Sequence, residues 1–87
     1  MIIRIADGRE FDTATDLTGP ERHILQKLIG WQSVAGSLAQ FRQKTGEALA
    51  AGWNNSGPVM KSPLLTAIIQ DMERQLAERL DKPALGD

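Results

Sequence analysis

Between Ser62-Pro63 and Lys82-Pro83 the chain carries seven apolar residues, Leu64, Leu65, Ile68, Ile69, Met72, Leu76 and Leu80, in a stripe with a period near 3.6. A cap residue followed by proline opens this run and a second proline closes it, so the spacing predicts a helix over 63–81. Such a stripe has to be covered by something. Eighty-seven residues are enough for one small core and no more, and cysteine is absent, so neither a disulfide nor a thiolate metal site supplements burial.

Two further helical runs precede it. Thr18-Gly19-Pro20-Glu21 has the spacing of a capping box, in which Thr18 caps the helix and Glu21 reaches back. Ile24, Leu25, Leu28 and Ile29 then share one face, and Gly30 offers an end, so this helix is predicted over 19–30. Beyond Trp31, Ser33 can cap a segment in which Val34, Leu38, Phe41, Thr45, Ala48 and Leu49 recur at three and four, predicting a helix over 33–51 with Gly52 as its C-cap. An alternative absorbs Gly30-Trp31 into one bent helix. Gly52-Trp53-Asn54-Asn55-Ser56-Gly57-Pro58 reads as a loop, where Trp53 can fold back on the helix before it.

The N-terminus alternates differently, and Ile3 to Phe11 reads as a hairpin. A two-residue turn at Asp7-Gly8 would set Ile3 and Ile5 opposite Asp12 and Glu10, wasting the apolar face. A three-residue loop, Ala6-Asp7-Gly8 with Gly8 left-handed, instead pairs Ile5 with Arg9, Arg4 with Glu10 and Ile3 with Phe11. That register puts Ile3, Ile5 and Phe11 on one face. Two strands alone are marginal, so this face is expected to lie on the helices or against another chain.

The expected architecture is therefore mainly α with an N-terminal β-hairpin, in the order ββααα, as one domain over 1–83 with a disordered tail over 84–87. Apolar content of 41% with 24% charged residues fits a folded chain. No run approaches the length of a membrane span and no leader pattern is visible, which makes a cytoplasmic location the default expectation.

Catalysis requires an activated nucleophile, an acid–base pair or a cofactor site, each built from several polar groups. Here Tyr and Cys are absent, the one histidine is His23, and the acids are spread along the helices. Asp12 and Asp16 are as readily turn and pre-helix residues as a catalytic pair. Glycines at 8, 19, 30 and 36 have neither the spacing nor the strand-to-helix context of a nucleotide loop. No catalytic residue, cofactor or metal ligand is assigned.

Two binding functions remain. The first is a non-catalytic interaction or assembly module, self-associating as a homodimer or meeting a protein partner through the last helix, with Trp31, Trp53, Met72, Leu76 and Leu80 at the interface. The second is a helix–turn–helix-like nucleic-acid reader. Its motive is the acid-free stretch from Arg22 to Gly46, with Gln40, Arg42, Gln43 and Lys44 as the contacting side chains. A net charge of −1 disfavours that second reading, because affinity for nucleic acid comes largely from a basic surface.

Overall fold

The computed structural model describes residues 2–52 and 57–81, so Trp53, the loop residues 54–56 and everything beyond Asp81 lie outside it. The expected loop centre, the Lys82-Pro83 stop and the expected tail over 84–87 fall in those segments. The described elements are β1 (Ile2–Arg4), β2 (Glu10–Asp12), α1 (Thr13–Asp16), α2 (Gly19–Val34), α3 (Leu38–Ala51) and α4 (Pro63–Asp81). The domain is thus mainly α behind an N-terminal antiparallel hairpin, with one short helix more than the sequence suggested. None of the described helices is long and apolar enough to cross a membrane.

The hairpin adopts the three-residue loop. Ile2 pairs with Asp12, Ile3 with Phe11 and Arg4 with Glu10. Gly8 has φ of +93°, which a side chain would strain, and its N–H donates to the Ile5 carbonyl at 3.0 Å. The Ile5 N–H in turn donates to the Arg9 carbonyl at 3.0 Å. This register sends Ile5 into the core, with Ile3 and Phe11 packed against it, and leaves an Arg4–Glu10 ion pair on the solvent side.

α1 escaped sequence reading because four residues carry no apolar period. Asp12 caps it by accepting from the Ala14 N–H at 2.9 Å, and Asp16 accepts from the Asp12 N–H at 2.8 Å. Its trailing carbonyls are closed from outside: the Arg22 guanidinium of α2 donates to Ala14 O at 3.1 Å and Leu17 O at 3.0 Å.

The boundary between α2 and α3 lies further along than the spacing predicts. Gly30 does not end α2, which runs to Val34 and turns extended at Ala35. Glycine within a helix weakens it by only about 1 kcal/mol relative to alanine, a cost of the size of one or two hydrogen bonds. In that turn Gln32 Nε2 donates to Met72 O at 2.9 Å and Gln75 Oε1 at 3.2 Å. Ser33 is not a cap, since its hydroxyl donates back to the Gly30 carbonyl at 2.8 Å inside the helix. Ser37 caps α3 instead, accepting from the Gln40 N–H at 3.0 Å, while Gln40 Oε1 accepts from the Gly36 N–H at 2.8 Å. Ser37-x-x-Gln40 is itself a capping-box spacing. Gly52, with φ of +72°, closes α3 as expected.

The three long helices form the core. Ile24, Leu25 and Leu28 of α2, Phe41 and Ala48 of α3, and Leu65, Ile68, Ile69, Met72 and Leu76 of α4 are all buried. α2 and α4 run in the same direction, as side-chain bonds at both ends require. Glu21 meets Ser62 where the helices begin, and Arg79 donates to Ala35 O at 2.9 Å where α2 ends. α3 packs against both. Asp71 of α4 fastens the hairpin, accepting from the Ala6 N–H at 3.1 Å.

Candidate interaction surface

Of the seven apolar residues in the α4 stripe, Met72 and Leu76 are buried in the chain's own core, at 7% and 1% exposure. Leu80 is different, with 39% of its surface open. Trp31 stands 41% exposed near the end of α2, its ring covered in part by Lys44, whose ammonium lies 4.6 Å from the ring centroid. One helical turn further, Val34 is 70% exposed, although the spacing had placed it on a buried face. Val34 adjoins Ala35, whose carbonyl accepts from Arg79, and Arg79 adjoins Leu80. The open valine and leucine therefore sit at the same end of the bundle, with Trp31 one turn back along α2. Trp53 lies outside the described residues.

The four side chains of the nucleic-acid reading are committed to neighbours within the chain. Gln40 Oε1 holds the Gly36 N–H ahead of α3, as above. Arg42 lies 3.5 Å from Glu73 of α4, Gln43 donates to Glu47 at 3.1 Å, and Lys44 is shared between Glu47 at 3.7 Å and the Trp31 ring. These contacts are exposed and exchangeable, yet each cation is matched by an acid.

A second open feature adjoins the hairpin. A groove of about 160 Å³ runs between β1, α2 and α4, lined by Ile3, Ile5, Leu25, Ile29 and Met72, with Gln32, Gln75 and Asp71 among its polar residues. On the other side of Leu25 and Ile29, a groove of about 370 Å³ separates α1 from α2. Ile29, 40% exposed, forms the ridge between them.

The most heavily bonded polar group in the interior is Glu21, only 4% exposed. One carboxylate oxygen accepts from the Thr18 N–H and hydroxyl, both at 3.2 Å, completing the box foreseen from the sequence. The other accepts from the Ser62 N–H at 3.1 Å and the Ser62 hydroxyl at 2.6 Å. Ser62 caps α4 at the same time, accepting from the Leu65 N–H at 3.1 Å. Burial pushes the Glu21 carboxyl up, and the bonds from Ser62 and Thr18 more than reverse this, leaving it below its ordinary value. Its partner across 41 positions had no signal in the sequence. Among the described residues no group of three or more His, Asp or Glu side chains is placed to hold a metal ion. No protein-family model matches this chain, and neither a curated protein nor a solved structure shows significant similarity to it.

Proposed function

We propose that the protein is a non-catalytic interaction module that works as a homodimer, associating through the end of the bundle that carries Trp31, Val34 and Leu80. The observation behind this reading is the exposure of those three large apolar side chains toward one end of the bundle; Ile2, Ile29 and Met60 are also exposed, on other parts of the chain. Single exposed apolar residues are ordinary on a protein surface, whereas several gathered at one end are a feature of association sites. A tryptophan there brings large contact area with little conformational freedom to lose, as the centres of protein interfaces favour. Within α4 the contribution falls to Leu80 alone, since Met72 and Leu76 are spent on the core. The nucleic-acid reading gains no comparable support, because Arg42 and Lys44 already face Glu73 and Glu47.

Sedimentation equilibrium across a concentration series tests the proposal. The wild-type chain is expected at twice its 9.5 kDa mass, and a Trp31→Ala/Val34→Ser/Leu80→Ser variant at the monomer mass with an unchanged helical circular dichroism spectrum. A wild-type chain that stays monomeric throughout the series refutes it. So does a variant that still dimerises.

A further inference from the structure

Glu21 joins two helix starts that the chain separates by 41 residues, its carboxylate accepting two backbone N–H and two hydroxyl bonds. We propose that Glu21 is a proton-operated latch: ionised, it fastens the first turn of α4 to the start of α2, and protonated, it lets that turn open while the remainder of the bundle stays folded.

Each carboxylate oxygen receives one backbone N–H and one hydroxyl. A proton on either oxygen is accommodated when the hydroxyl turns to accept it, which exchanges charge-assisted bonds for weaker neutral ones. The junction is then weakened. The Thr18 contacts are local, three residues apart on the same helix, and re-form at almost no cost in chain entropy. The Ser62 contacts join two separate elements, so a small shift at the start of α4 is enough to part them. Losing them withdraws the acceptor that holds the Ser62 N–H and hydroxyl, and with it the fixed position from which Ser62 caps the Leu65 N–H. The fully buried Leu65 side chain, and Ile68, Ile69, Met72 and Leu76 beyond it, stay anchored by apolar packing that no proton alters, so the opening is confined to Ser62 and the N–H groups at the start of the helix.

The charged and titratable residues near Glu21 and Ser62 along the chain are Asp16, Arg22, His23 and Lys61, and α3, which packs against both helices, carries Glu47. Arg22 is turned to the α1 carbonyls, Asp16 to the Asp12 N–H, and Glu47 to Gln43 and Lys44. The displacement of the Glu21 carboxyl arises from burial and hydrogen bonds, with no contribution from a neighbouring charge. Because its folded value is depressed, the stabilisation is complete above the ordinary value of 4.5 and is lost as pH falls through the lower, folded value.

The test is hydrogen exchange by NMR on the full chain between neutral pH and about pH 3, with protection corrected for intrinsic rates and the Glu21 carboxyl carbon followed in parallel. Loss of a helix cap predicts about a fivefold fall in protection at Leu65. It should share its midpoint with the Glu21 carboxyl, while Met72 and Leu76 are unchanged. In Glu21→Gln the Leu65 protection should already be low at neutral pH and flat below it. The latch is refuted if Leu65 protection holds while Glu21 titrates, if all α4 amides fall together, or if Glu21→Gln keeps the wild-type profile. Should the variant fail to fold, the comparison of the two wild-type midpoints decides the matter alone.

Discussion

Truncating Leu76 and Leu80 separately distinguishes core from surface within one helical stripe. The two residues lie one turn apart on α4, share a side chain and differ in enclosure, at 1% and 39% exposed. Leu76→Ala removes a fully buried side chain among packed neighbours, and such changes cost about 2–5 kcal/mol because a cavity is left as well as the transfer energy lost. Leu80→Ala removes a side chain that water already reaches, so the gap fills with solvent and the loss is limited to partial burial, about 1 kcal/mol at roughly 0.8 kcal/mol for each fully buried methylene. A domain of 87 residues is expected to have a total stability of about 4–13 kcal/mol, so the Leu76 change removes a large fraction of it. Urea denaturation at low protein concentration measures both. The Leu76 variant should shift the midpoint strongly with an unchanged slope, and the Leu80 variant weakly. Equal losses, or a larger loss at Leu80, would show that the placement of α4 described above is wrong.

Two other changes probe the remaining contacts. Gly30 lies inside α2 with open space where a Cβ would go, so Gly30→Ala should raise stability by about 0.5–1 kcal/mol, seen as a higher thermal midpoint; a lowered midpoint would mean that α2 ends there after all. Asp71→Ala removes the acceptor for the Ala6 N–H, which should cost about 1 kcal/mol and speed amide exchange in β1 and β2 while leaving α2 and α3 protected; unchanged hairpin exchange would refute its role as a fastener.

What could be read from the sequence was local. The hairpin register followed from asking which loop length spares Ile3, Ile5 and Phe11 from facing acids, and a pleated ribbon offers few alternatives. The starts of α2 and α4 followed from Thr18 with Glu21 and from Ser62 with Pro63, because a cap is satisfied within three or four residues. The end of α2 was missed for the opposite reason. Gly30 is permissive but not decisive, and what extends the helix past it is Gln32 reaching Met72 and Gln75 some forty positions away. Ser33 and Ser37 are equal as isolated cap candidates, and the glutamine at Gln40 that distinguishes them was read as a surface residue. The candidate surface was half legible. Helical period alone grouped Met72 and Leu76 with Leu80, and only the tertiary packing decided which of them remain open.

Since α4 is clasped to α2 at both extremities, by Ser62 on Glu21 and by Arg79 on Ala35, its alignment does not depend on the stretch of chain that delivers it. The connection after α3 is then free to vary in length without sliding one cylinder along the other. Lengthening it costs only the slowly growing entropy of closing a larger loop. Variation among sequences of this architecture should therefore accumulate there, while the two clasps keep their chemistry.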